Sequence, residues 1–187
     1  TPEYVPTILA CGEKDRDVIT QEGNPRFLKR LEELDLNHVG LFMEGLGHSL
    51  SYGWDKRLGV DRYQLVNDFF DRYLKVKDKL PPAVLLVFPR DSAQDVKPDT
   101  EISVQFAPVI DEKTILEHDA VSVTKARDNS EIPGSWTASH GGTRFTFRPD
   151  QPLENDEMYY IHISMRVKDK AGVQLQNERH TQFRVAA

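Results

Sequence analysis

The chain has 187 residues, 39% of them hydrophobic, and carries 24 basic against 30 acidic side chains for a formal charge of -6. That length accommodates one large domain or two small ones, each with its own core. The acidic balance argues against a phosphate-backbone binder, no window approaches the roughly 18 apolar residues of a membrane span, and a single Cys11 permits no internal disulfide.

The first apolar run, Thr7 to Cys11, does not alternate, as in a strand buried on both faces of a parallel sheet. Asn24-Pro25 supplies a cap and a first-turn proline, and Phe27, Leu28, Leu31 and Leu34 recur at helical spacing, predicting an amphipathic helix that ends near Leu36-Asn37. A second apolar run, Val39 to Met43, starts roughly 30 residues after the first, the length of a right-handed strand-helix-strand unit. A second helix is expected after Asp61 as cap, with Tyr63, Leu65, Val66, Phe69, Phe70, Tyr73 and Leu74 as its apolar stripe. If the two strands are parallel, the loop Gly12-Glu13-Lys14-Asp15-Arg16-Asp17 and the loop Gly45-Leu46-Gly47-His48-Ser49 emerge at the same end of the sheet. A carboxylate there can orient an imidazole that serves as a general base.

Over about its first 75 residues, through these two loops and the closing helix pattern Asn67-Asp68-Phe69-Phe70-Asp71-Arg72-Tyr73-Leu74, the chain resembles the C-terminal end of an α/β-hydrolase of the esterase or prolyl-oligopeptidase-like kind. The resemblance implies Asp15 as the triad acid, with Asp17 as the alternative, and His48 as the base. It also implies an ester or peptide substrate, a polysaccharide-linked one among them. No Gly-x-Ser-x-Gly elbow occurs, and Ser49 and Ser51 do not lie on one, so the nucleophile is expected in a missing upstream hydrolase segment. His38, His118, His140, His162 and His180 show no His-x-x-x-His spacing, and no metal or cofactor is expected.

A charged run, Lys75 to Lys79, followed by Pro81-Pro82 marks a linker, and the boundary is placed after Leu80. From there the apolar period becomes two: Ala83 to Phe88, Ile102 to Phe106, Val121 to Val123, a strand around Trp136, Phe145 to Phe147, Ile161 to Val167, and Phe183 to Val185. Seven short strands with Pro, Gly, Asp and Asn turns predict an immunoglobulin-like sandwich. One helical turn is expected between Asp111 and Leu116. Through Phe88-Pro89-Arg90-Asp91, Ile102 to Val109, Phe145-Thr146-Phe147-Arg148-Pro149 and Val167 to Gly172, this half resembles the bacterial Ig-like domain of surface-layer proteins. That resemblance implies a secreted, periplasmic or cell-surface spacer or adhesion module.

The expectation is thus residues 1–80 as a partial α/β-hydrolase with parallel strands and helices, and 81–187 as an all-β sandwich. The alternative is a non-catalytic extracytoplasmic module. A homo-oligomer is a further possibility, because a short open sheet leaves an apolar edge.

Overall fold

The alternation that begins after the proline pair closes into a β-sandwich in the computed structural model, which describes residues 5–15, 23–43, 46–47, 53–74, 80–117 and 119–187. In chain order the elements are β1 (Thr7–Gly12), α1 (Asn24–Glu33), β2 (His38–Met43), β3 (Trp54–Asp55), β4 (Val60–Asp61), α2 (Arg62–Leu74), β5 (Ala83–Phe88), β6 (Ala93–Val96), β7 (Ile102–Ala107), α3 (Lys113–Leu116), β8 (Val121–Lys125), β9 (Gly134–Ser139), β10 (Arg144–Pro149), β11 (Met158–Ile163) and β12 (Arg179–Val185). Strands β5-β7-β10-β9 form one four-stranded sheet and β6-β12-β11-β8 the other. Their inner faces meet through Ile102, Val104 and Phe106 of β7, Phe145 of β10, Tyr159, Ile161 and Ile163 of β11, and Phe183 of β12, all essentially inaccessible to solvent. Burying each such side chain stabilises the fold by about 1.5–3 kcal/mol before conformational entropy is subtracted. The Tyr159 hydroxyl does not go unsatisfied inside this core, because it accepts the main-chain N–H of Glu154 at 2.8 Å.

β7 differs from an ordinary sandwich strand: all six of its residues are buried, the polar Ser103 and Gln105 included. Its outer face is covered by the first part of the chain. A second core gathers Val39 and Leu41 of β2, Val60 of β4, Leu65 and Phe69 of α2, and, from the sandwich itself, Leu85 of β5 and Ala107 of β7. The pairing of β5 with β7 slips between Val84 and Leu86. That bulge lets the adjacent Leu85 and Leu86 both face the second core while Val84 and Val87 face the first.

The α/β-hydrolase half of the expected fold is not formed. β1 and β2 do run parallel, from Thr7 opposite His38 to Gly12 opposite Met43, but among the described residues they are a two-stranded sheet with no third strand beside them. The fold is dominated by the two antiparallel-rich sheets of the Ig-like sandwich. The apolar run of β2 does mark a covered strand, but part of its cover is the sandwich and not helices alone. Leu28 of α1 packs over Gly40, where an added Cβ would lie 2.8 Å from a Leu28 methyl, and the other cover is α2 with the outer face of β5 and β7.

Local signals explain the helix ends. The Asp61 side chain accepts the Gln64 N–H at 2.9 Å, the cap expected for α2. α1 is shorter than expected, ending at Glu33. Asp35 takes a left-handed φ of 51°, with Leu36 N–H donating to Leu31 O at 2.9 Å and Asp35 N–H to Glu32 O at 3.0 Å, a Schellman turn. This turn delivers Glu32, Asp35, Asn37 and His38 to the sandwich. The short ladder β3–β4 and the edge strand β6 were not expected from the sequence, and Val167 is buried outside any strand.

Candidate functional site

Where the first part of the chain meets the outer sheet, the structure leaves a cavity of about 250 Å³. His38 at the start of β2, Arg57 between β3 and β4, Arg90 after β5, Gln105 on β7, and His140 and Arg144 from the β9–β10 turn contribute to its wall. Each is fixed by its own local chemistry. Gln105 donates from its side-chain amide to the His38 carbonyl at 2.7 Å. Arg57 sits in a turn organised by Asp55, whose Oδ1 accepts the N–H groups of Arg57 and Leu58 at 3.0 Å each, while its Oδ2 accepts Arg62 Nε at 3.0 Å. Burial raises the Asp55 pKa, but the hydrogen bonds from Leu58, Arg62 and Arg57 outweigh it and hold the carboxyl below its ordinary value. The Arg57 guanidinium donates onward to Phe42 O at 2.7 Å.

His140 is held from several sides. It takes a left-handed φ of 53°, followed by Gly141 and Gly142 at 63° and 85°. Its N–H donates to Asp35 Oδ1, and the neighbouring Thr143 hydroxyl lies 3.1 Å from Asn37 Oδ1 and 2.9 Å from His140 O. Asn37 in turn donates to the Tyr73 hydroxyl at 2.5 Å, which links β2, α2 and the sandwich. The His38 and His140 rings stack with centroids 4.5 Å apart, and the Glu32 carboxylate approaches both. Burial holds the His140 imidazole below the usual histidine range against the raising effect of Glu32. Three guanidinium groups around one cavity, with no carboxylate among its described lining residues, give a net-acidic chain a locally basic recess. Its chemistry suits a small anion.

Of the residues singled out as an acid–base pair, Asp15 is not in the wall of this cavity. Asp15 follows β1, is buried at 5% exposure, and donates its N–H to Gly12 O at 3.2 Å. Lys14 N–H donates to Leu46 O at 2.8 Å, and Gly12 is pressed so closely on the Leu46 and Gly47 carbonyls that a Cβ would not fit. The two loops therefore touch. His48 and the alternative acid Asp17 lie outside the described residues, as do Ser49, Ser51 and His118. Trp54 is 64% exposed on β3 and lines none of the cavities described here. Cys11 is buried with its thiol pushed above its ordinary value by desolvation, which makes it a poor nucleophile. The acidic turns have structural roles: Asp169 Oδ1 accepts Ala171 and Val173 N–H at 2.9 and 2.8 Å, and Asp91 Oδ1 accepts Gln182 N–H at 3.0 Å. Reading the sequence missed the grouping of Glu32, His38 and His140, because 102 residues separate the two histidines and no spacing motif spans that distance.

A family model described as a bacterial Ig-like domain matches residues 78–185, more than half of the chain. No curated protein matches it in sequence. Among solved structures, the S-layer protein rSbsC is similar at 20% identity and TM-score 0.43, covering 60% of this chain and 14% of that one. An L,D-transpeptidase from Mycobacterium smegmatis is similar at 16% identity and TM-score 0.40, covering 58% and 41%. PcoC, a methionine-rich copper resistance protein from Escherichia coli, is similar at 13% identity and TM-score 0.43, covering 57% and 99%. The chain thus spans well under two thirds of the first two. Among the described residues no helix is long and apolar enough to cross a membrane.

Proposed function

The chain belongs to the bacterial Ig-like domain family, and from that premise we propose that it is a non-catalytic accessory module of an extracytoplasmic protein, acting as a spacer or adhesion unit. The observation that carries this reading is the double burial of β7. The outer sheet of the sandwich is packed against β2 and α2 through a shared apolar core and a buried amide-to-carbonyl bond. Such a joint fixes the direction in which the sandwich projects, which is what a spacer must do. Two measurements test the proposal on the full-length protein. A reporter active only outside the cytoplasm, fused to it, should give signal, and a serine-directed fluorophosphonate should leave it unlabelled. A silent reporter would overturn the location, and specific labelling would overturn the absence of catalysis.

A second reading keeps Asp15 and His48 as acid and base acting on an ester or peptide. It is favoured by the contact between their loops, Lys14 N–H to Leu46 O at 2.8 Å. It requires labelling by the same fluorophosphonate that is abolished by His48→Ala and by Asp15→Ala. Labelling that survives either substitution removes it.

A further inference from the structure

We propose that Glu32, His38 and His140 form a binding site for a divalent zinc-class metal ion, with a fourth coordination position open toward the junction cavity. His38 Nδ1 lies 2.8 Å from Leu36 O. A carbonyl can only accept, so Nδ1 carries a ring hydrogen and, in the neutral ring, Nε2 presents its lone pair. That lone pair faces Glu32 Oε2 at 3.5 Å, and the same oxygen is 2.8 Å from His140 Nε2. An acceptor nitrogen turned toward a carboxylate oxygen is reconciled by a positive charge between them, a second proton or a metal ion. The ring hydrogen held on a main-chain carbonyl is also the outer-shell arrangement that fixes metal-ligating histidines.

The distances suit the ion. Ligands about 2.0–2.1 Å from a tetrahedral zinc lie roughly 3.3 Å from one another. The 2.8 and 3.5 Å separations bracket that value, and the candidate ligand atoms all lie within 4.8 Å of one another. Both imidazoles are buried and held by main-chain bonds, through Gln105 to His38 O and through His140 N–H to Asp35, whereas the Glu32 side chain is 53% exposed and free to adjust. His140 Nδ1 is buried with no hydrogen-bond partner among the described residues, so this ring lacks the outer-shell bond that His38 has and is oriented by its main-chain bonds instead. Two imidazoles and one carboxylate select zinc-class ions over calcium or magnesium, which take oxygen ligands. The ion would bridge α1 and β2 to the β9–β10 turn of the sandwich, clamping the joint. Arg144 Nη1, 3.7 Å from Glu32 Oε1, is an unfavourable neighbour for a dication and sets an upper bound on affinity.

A second group, His162, His180 and Glu178 on the other sheet, is a poorer fit and serves as a control. Its rings are closer to parallel than those of His38 and His140, at 8° against 28°, so their in-plane lone pairs converge less, and its nitrogens lie 3.7 and 3.8 Å from the carboxylate at a more exposed position. The test is a zinc titration of the whole chain by calorimetry, with cobalt as the spectroscopic probe. One strong equivalent is expected, with the visible bands of tetrahedral cobalt. Glu32→Gln, at a half-exposed position that the fold tolerates, and His140→Asn should each weaken it at least about tenfold. Arg144→Gln should tighten it, and His180→Ala should leave it unchanged. Absence of strong zinc binding, binding unaffected by Glu32→Gln, or binding lost in His180→Ala would each overturn the proposal.

Discussion

Gln105 and His38 are joined by a buried bond, 2.7 Å from the Gln105 amide to the His38 carbonyl, that ties the centre of the outer sheet to the first residue of β2. Both residues are less than one-tenth exposed, so no bulk water replaces the donor if it is removed. Gln105→Leu should therefore lower stability by about 1–3 kcal/mol, the cost of an unsatisfied buried acceptor. Denaturant midpoints at constant m-value measure this. A change below about 0.5 kcal/mol would show that the joint does not depend on the bond.

Asp55 anchors the β3–β4 turn by three hydrogen bonds, and its ion pair with Arg62 is nearly buried, at 4% and 13% side-chain exposure. Removing one member of such a pair leaves an uncompensated charge, so Asp55→Ala should cost about 3–5 kcal/mol at neutral pH. Because its folded pKa lies below the unfolded value of about 3.9, Asp55 stabilises the fold above that value, and the contribution is lost as pH falls through the folded pKa. The acid limb of the stability profile should accordingly be shallower in Asp55→Asn than in the parent. Limbs of equal slope would exclude Asp55 as a source of acid sensitivity.

Phe69 sits at 2% exposure in the core shared by α2, β2 and the sandwich, with Phe70 and Tyr73 rings 5.7 and 4.8 Å away. Phe69→Ala should cost about 3–5 kcal/mol. Its more informative effect is on hydrogen exchange, where amides of both β2 and β5 should lose protection together, since both strands feed the same core. Loss confined to β2 would show that the second core is not continuous.

The turn after Val167 offers a contrast between two conservative changes. Asp169 accepts two main-chain N–H groups with one oxygen, a role that an amide oxygen can also fill. Asp169→Asn should be nearly neutral, and Asp169→Ala should lower the unfolding midpoint by the equivalent of about 1–2 kcal/mol. Equal losses in the two variants would mean that the charge, not the acceptor, matters there.

The sandwich was largely legible in the sequence because period-two alternation is a direct imprint of a half-buried strand. Tyr159, Ile161 and Ile163 show it without interruption, and Ile102, Val104 and Phe106 carry the same alternation although Ser103 and Gln105 between them are buried as well. β6 escaped because Ala93-Gln94-Asp95-Val96 is a half-exposed edge segment with a left-handed φ of 56° at Asp95, so it carries no alternation. The helix cap at Asp61 was legible for the same reason as the strands, being local. What misled was the run Val39 to Met43. Burial on both faces is equally well met by a parallel α/β sheet and by docking on a sandwich, and a local pattern does not say what covers a strand. The His38–His140 stack lies beyond local pattern altogether, since it exists only once β2 is docked beside the β9–β10 turn.

A strand covered on both faces has no disposable side. Were the sandwich cut free after Leu80, Leu85, Leu86 and Ala107 would turn from interior into surface, and Gln105 would lose the carbonyl it serves. The excised piece would carry a contiguous apolar scar flanked by two arginines, Arg90 and Arg144, on one broad sheet. Solubility would then fail before folding does. Residues 81–187 prepared alone should sediment as species heavier than their own mass, and charged substitutions at Leu85 and Leu86 should return them to monomers.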